Sequence, residues 1–186
     1  VAPGDIKYKD QNKDGFIDDN DKVAMGYNMS TPEAYFAFNA GIEYKGIGID
    51  FLFQGVARYS AWLNAKSVYR PLAGNCTISE HYYANRWTPE TPDALYPRLT
   101  SDSNPNNNQS SDLWLADASF LKLRHCEVYY KLPKAWINKI KMKTAKLYVR
   151  GMDLFSIDKM DIFDPEVVGV SYPADRSVHV GVRVGF

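Results

Sequence analysis

The sequence predicts an all-β chain of five antiparallel strands, and three observations carry that prediction. Residues 177–186 alternate strictly, with Val178, Val180, Val182, Val184 and Phe186 on one face and His179, Gly181, Arg183 and Gly185 on the other. Successive strand side chains point to opposite faces, so a period of two with one wholly apolar face is a strand buried on at least that side. Residues 35–44 and 47–54 alternate in the same way around Lys45-Gly46, the pattern of a hairpin with a very short connection. The connections between successive strands then alternate in length: short at 45–46, long at 58–117, moderate at 132–143 and long at 156–176.

In the first strand Phe36, Phe38, Ala40, Ile42 and Tyr44 share a face, and in the second Ile49, Phe51 and Phe53 do so, with Leu52 as the exception. The stretch 58–117 shows no long strand pattern; it carries Pro71, Pro89, Pro92, Pro97 and Pro105 and reads as one large loop. Within it Thr77 and Glu80 are spaced as a capping box for a short helix that reaches Trp87 and is stopped by Thr88-Pro89. The third strand, 118–131, changes apolar parity between Leu123 and Cys126, which predicts a bulge near Arg124. After a short basic connection the fourth strand, 144–155, sets Leu147 and Val149 against Lys146 and Arg150. The closing strand, about ten residues ending on Phe186, has the length and alternation of a tilted transmembrane β-strand, which needs roughly 9 to 11 residues. The edge strand of a soluble sandwich satisfies the same pattern. Five strands do not close a barrel, since the small ones have about eight.

Composition excludes several classes. Lys and Arg number 22 and Asp and Glu 22, so no electrostatic footprint for nucleic acid exists. No apolar run approaches a transmembrane helix, and the mean hydropathy of −0.38 excludes only helical membrane proteins. Cys76 and Cys126 suit neither a disulfide framework nor a metal cluster. The chain opens at Val1 without an initiator Met, a basic stretch or an apolar stretch, so any export signal is expected to lie upstream or to have been removed, and the chain reads as a piece of a longer one. Glu80, His81, Glu90 and Asp93 lie in the polar loop without a nucleophile motif, so no enzyme activity is expected.

Residues 10–21 read D-Q-N-K-D-G-F-I-D-D-N-D, which is a calcium-loop pattern. Ca²⁺ takes six to eight hard oxygen ligands, and the spacing offers them from Asp10, Asn12, Asp14, the Phe16 carbonyl, Asp18 and Asp21 around a turn at Gly15. Asp21 stands where a longer Glu is usual and the flanks lack paired amphipathic helices, so the expectation is one ion pinning a loop rather than a switch. The loop aromatics Trp62, Tyr69, Tyr82, Tyr83, Trp87 and Trp114 are candidates for contact with a substrate or partner, or for packing within the loop itself.

In order along the chain, the calcium loop follows Pro3-Gly4-Asp5-Ile6-Lys7-Tyr8-Lys9. Next come Arg86-Trp87-Thr88-Pro89-Glu90 with Tyr96-Pro97-Arg98, and Trp114-Leu115-Ala116-Asp117-Ala118-Ser119-Phe120-Leu121-Lys122-Leu123. Leu154-Phe155, Asp164-Pro165-Glu166, Tyr172-Pro173 and the terminal strand follow. This ordered set covers essentially the whole chain and resembles the C-terminal part of SusC/RagA-type TonB-dependent outer-membrane transporters. Asp153 departs from the Asn usual before Leu154-Phe155, which affects a local hydrogen bond. The resemblance implies that residues 1–186 are the last five strands of a 22-stranded plugged transmembrane barrel in the outer membrane of a Gram-negative cell, with long extracellular loops. It also implies a SusD-like surface lipoprotein as a lid, the TonB complex acting through an upstream segment, and import of oligosaccharides or peptides. Val178, Val180, Val182, Val184 and Phe186 would then meet outer-membrane lipid. The alternative is a secreted, calcium-stabilised β-sandwich that binds carbohydrate.

Overall fold

The computed structural model describes residues 1–101, 104–168, 172 and 174–186. The parts of the two long loops at 102–103, 169–171 and 173, including Pro173 of the Tyr172-Pro173 motif, lie outside the described residues. The strands are β1 (Ala34–Tyr44), β2 (Ile47–Ala57), β3 (Ser60–Trp62), β4 (Leu115–Asp117), β5 (Phe120–Lys131), β6 (Thr144–Asp158) and β7 (Ser177–Gly185). Five of them form one antiparallel sheet in the order β1-β2-β5-β6-β7, while β3 and β4 pair separately at the base of the long loop.

The register aligns the apolar positions of all five strands into rows. Tyr44, Ile47, Tyr130, Leu147 and Val182 form one row, and Ile42, Ile49, Val128, Val149 and Val180 the next. Nearer the long loops the rows become aromatic, with Phe38, Phe53, Leu123 and Phe155 abreast. The Phe53 ring lies 5.8 Å from Phe51 and 6.0 Å from Phe155. This face lies open: Val180 is 80% exposed and Ile42 70%.

The opposite face is polar and tied together by charge. Glu127, almost wholly buried, meets Lys146 at 2.5 Å and the Arg150 Nε at 2.8 Å. Glu43 accepts from the Tyr129 hydroxyl at 2.8 Å and pairs with Lys131 at 2.6 Å. His179 and Arg183 belong to this face, in register with Arg150 and Lys146, whereas Val178, Val180, Val182 and Val184 belong to the apolar one. Leu52 also lies here, in register with His125 and Asn39.

Local chemistry explains where the strands turn and bend. Lys45 and Gly46 both take positive φ, 49° and 86°, the mirror-type turn whose twist matches that of paired strands. The bulge lies at Arg124, which is left out of the strand pairing with both β2 and β6, and Asp153-Leu154 face it from β6 as the complementary irregularity. Asp153 takes φ +49° there and accepts from Arg124 Nη1 at 2.8 Å, so the residue that departs from the family pattern is part of the bulge. The short helix in the long loop differs from the sequence expectation. After a single turn, α1 (Lys66–Tyr69), it spans α2 (Glu80–Ala84), capped by Ser79 rather than Thr77, and leaves Trp87 beyond its end. Asn85 closes it because Trp87 and Asn85 exchange backbone hydrogen bonds with Tyr96 instead of extending the helix.

Two glycines on the polar face are covered by tyrosines from neighbouring strands. A β-carbon on Gly48 would stand 2.2 Å from Tyr129 Cζ, and one on Gly181 2.5 Å from the Tyr148 hydroxyl. Ring and glycine therefore fit as peg and slot, compensating the side chain that glycine lacks. Gly48→Val is expected to expel the Tyr129 ring and destabilise the intact protein by about 1–3 kcal/mol. Urea unfolding checks this, and Gly48→Val combined with Tyr129→Ala should cost less than the two single changes added together.

Candidate functional site

The long loop folds into a small module with its own core. Trp114 (1% exposed) and Tyr82 (2%) pack with Val68 and Tyr96, and Ile6, Tyr69, Ile162 and Phe163 close around them. Tyr82 stacks on Tyr96 at 4.7 Å, and Tyr69 meets Trp114 edge-on at 5.2 Å. Buried aromatics of this size each contribute about 1.5–3 kcal/mol, and their ring pairs add about 0.5–1.5 kcal/mol. The polar ends of these rings are satisfied. Trp114 Nε1 donates to the Asn107 carbonyl at 3.1 Å, and the Tyr82 hydroxyl donates to the Pro97 carbonyl at 3.1 Å. Burial pushes the Tyr82 phenol up to about 12.

The candidate contact aromatics therefore separate. Trp114 and Tyr82 have their ring faces covered inside the module. Tyr69 and Trp62 pack at the edge of the same core, and Trp87 lies against Gly4. Tyr83 alone of the six is mostly exposed, with the Arg86 guanidinium 3.7 Å from its ring centre.

The N-terminal segment is knotted into this module through Asp5. Its carboxylate accepts from Arg98 Nε at 2.7 Å, Asn104 Nδ2 at 2.9 Å and Asn107 Nδ2 at 3.0 Å. Burial opposes ionisation of Asp5. The Ala2 backbone N–H, Arg98, Asn107 and Asn104 outweigh it and hold the carboxyl at about 2. Gly4, at φ +84°, leaves room for Trp87, which a β-carbon would approach to 2.5 Å. Tyr8 donates to the Asn106 carbonyl at 2.6 Å. The motifs 3–10, 86–90, 96–98 and 114–123 thus meet in one place, although they are spread over more than half the chain. Asp5 and Asn107, the centre of the knot, carry no signal as a pair in sequence, since 102 residues separate them.

The acidic loop 10–21 is closed by its own hydrogen bonds. Asp10 accepts from the Gly15 N–H at 2.9 Å and Asp14 from the Phe16 N–H at 2.9 Å. Asp21 accepts from the Asp18 N–H at 2.9 Å and the Gln11 N–H at 2.7 Å, contacts that lower its pKa. Asp18 and Asp21 also form a capping box over the 3₁₀ turn Asp19–Asp21. The donor set is all oxygen, which suits calcium in kind; the carboxylate oxygens of Asp10, Asp14 and Asp18 retain lone pairs, whereas Asp21 Oδ1 already accepts from the Gln11 and Asn12 N–H groups. Among the described residues no three Asp, Glu, His or Cys side chains are gathered to hold a metal ion. Asp18 and Asp21 line a cavity of about 470 Å³ together with Ile6, Tyr8 and Trp62, so the acidic loop adjoins the aromatic module.

The second long loop is latched to the sheet at the bulge. Lys122, with 4% of its side chain exposed, bonds Asp164 at 2.6 Å and Glu166 at 2.8 Å. Arg124 bonds Gln54 at 3.0 Å, Asp153 and Glu166. Removing one partner of such a buried pair typically costs about 3–5 kcal/mol.

The Asp5 knot has a definite pH dependence. A carboxyl depressed in the folded state contributes stability that is complete above its ordinary range and lost as pH falls through its folded value. A spin label placed by Lys7→Cys should be immobile above about pH 4 and gain mobility as pH approaches 2, measured by electron paramagnetic resonance. With Asp5→Asn it should be mobile already at pH 7.

No protein-family profile matches the chain. It is 27% identical to TonB-dependent receptor P26 of Formosa agariphila over an alignment of 209 residues, covering 98% of this chain and 20% of that protein. It is 24% identical to TonB-dependent receptor P3 of the same organism, over 98% of this chain and 17% of the relative. Among solved structures, the RagAB peptide importer in the open-open state superposes with a TM-score of 0.71 at 20% identity, over 98% of this chain and 20% of that one. The RagAB peptide transporter gives 0.64 at 23% identity, over 84% and 17%. The chain spans about a fifth of the length of the relatives it matches. In sequence the chain is similar to a part of these TonB-dependent receptors, and in fold to a part of the RagAB importer.

Proposed function

We propose that this chain supplies the last five strands of a 22-stranded outer-membrane barrel that imports bulky nutrients, peptides or oligosaccharides, by TonB-coupled transport without covalent chemistry. One observation carries the reading: the sheet presents a continuous uncovered apolar face opposite an ion-paired polar one. Outer-membrane barrels have that polarity, apolar towards lipid and polar towards the lumen. In a secreted sandwich a second sheet would cover the apolar face, and β3 and β4, three residues each, lie in the loop module instead. The relatives named as TonB-dependent receptors and the RagAB importer fold support the transporter class. The edges at β1 and β7 carry backbone groups that hydrocarbon does not tolerate unpaired, so the reading requires upstream strands on both.

On this reading the loop module faces outward as a docking surface for a SusD-like lipoprotein lid, with Tyr83 as its exposed aromatic and Trp87, Trp62 and Tyr69 half-buried beside it. A single Ca²⁺ held by Asp10, Asn12, Asp14, Asp18, Asp21 and the Phe16 carbonyl would pin the adjoining loop. Calorimetry on the intact transporter should find one calcium site in the wild type and none in Asp10→Asn/Asp14→Asn. Equal calcium binding by both proteins would remove the loop from consideration.

Orientation in the membrane is tested by exchanging polarity at neighbouring positions. Val182→Arg places a charge on the lipid face at a cost of about 2–4 kcal/mol near the midplane, whereas Arg183→Val acts only in the lumen. Val182→Arg should therefore block barrel assembly and uptake of labelled peptide or oligosaccharide, and Arg183→Val should leave assembly intact. Equal assembly of the two variants would contradict the assignment.

A further inference from the structure

We propose that a basic cleft at the turn end of the sheet holds an anionic phospholipid, its phosphate among lysines and its acyl chains along the apolar face. This rests on the membrane reading above. The 25 residues between Glu127 and Asp153 contain six lysines and an arginine and no acid, in a chain whose net charge is zero. Three of those cations are offset, Lys131 by Glu43, and Lys146 and Arg150 by Glu127. Lys134, Lys139, Lys141 and Lys143 have no acidic partner among the described residues.

Two of these lysines, Lys134 and Lys143, line a cavity, and Lys139 and Lys141 lie in the same connection. After Leu132-Pro133 the chain makes one helical turn, α3 (Lys134–Ile137), which folds back beside the start of β6. Between them lies a cleft of about 640 Å³ with Lys45, Lys134 and Lys143 among its walls and Tyr130, Leu132 and Ile137 as its apolar lining. Tyr130 belongs to the apolar row that runs through Ile47 and Leu147, while Lys131, Lys146 and Arg183 of the polar face also line the cleft, so it lies at the end of the sheet where the two faces meet. On α3 itself Trp136 is 63% exposed, although a large aromatic usually finds cover.

The two halves of this site match the two halves of a phospholipid. Ammonium groups donate charge-assisted hydrogen bonds to phosphate oxygens, and clusters of four or more lysines beside a membrane recognise anionic lipid. Indole rings settle at the boundary between headgroups and hydrocarbon, the position that Trp136 would take. An acidic segment of another protein would use the charge, but it would leave Trp136 and the apolar lining without a role.

The test uses the whole transporter, in vesicles of phosphatidylglycerol and phosphatidylcholine in equal parts. Heat-modifiable gel mobility first establishes that each variant forms a barrel; a wild type that forms none would defeat the membrane reading itself. Native mass spectrometry after detergent extraction then counts retained lipid. The wild type should keep phosphatidylglycerol in preference to phosphatidylcholine. Each lysine near an anionic surface contributes roughly fivefold, so Lys134→Gln/Lys139→Gln/Lys141→Gln/Lys143→Gln should weaken retention by more than about 100-fold. Lys7→Gln/Lys9→Gln, at the loop end, should have no effect, and Trp136→Ala should reduce retention with every lysine in place. Equal retention by the quadruple variant and the wild type in folded barrels would overturn the proposal. So would complete displacement of the lipid by millimolar inorganic phosphate, which would show a site for phosphate alone.

Discussion

Everything in this structure depends on the register of one antiparallel sheet. Because side chains alternate with a period of two, a slip of a single residue would carry Val178 to Val184 to the polar side and bring Arg183 out among the apolar rows. The hairpin turn at Lys45-Gly46 fixes that register between β1 and β2. The tyrosine pegs over Gly48 and Gly181 fix it further along the sheet, since each ring fits only opposite a residue with no side chain.

The bulge at Arg124 is where register and loop architecture meet. An extra residue in β5 would invert every position beyond it, and the irregularity at Asp153-Leu154 passes the correction on to β6, so Leu123 and Phe155 return to the apolar face together. The side chain freed by this arrangement serves as a tether. Arg124 and its neighbour Lys122 hold Asp164 and Glu166, and through them the second loop, whose Ile162 and Phe163 complete the aromatic core of the first. A backbone irregularity in the sheet thus sets the position of a module built almost entirely from loop residues.

The strands were legible in the sequence because alternation is a local signal, and the parity change between Leu123 and Cys126 was enough to place the bulge. The short pair β3 and β4 was not, because Trp62 and Leu115 become strand residues only through each other, across more than fifty positions. Thr77 and Glu80 satisfy the spacing of a capping box, yet Ser79 caps the helix, since the start of α2 is set by burying Tyr82 against Tyr96. The loop aromatics were recognisable as a group but not as individuals. No periodicity in a loop distinguishes a ring at the core, such as Trp114, from an exposed one, such as Tyr83. The acidic loop was legible as a donor pattern, whereas the capping of Asp18 by Asp21 emerges only in three dimensions.

The Asp5 knot bears on how such a loop can change over evolutionary time. A surface module with its own core is ordinarily free to be exchanged between relatives as a cassette. Here the cassette is discontinuous: residues 4–8, which precede β1, are joined to Trp87, Arg98 and Asn107, which follow β2. A recombination event with its crossover between these segments would pair an Asp5 from one parent with the amide and guanidinium partners of another. Inheritance of the loop is therefore linked to that of the N-terminal segment, and compensating changes should appear in both places or in neither.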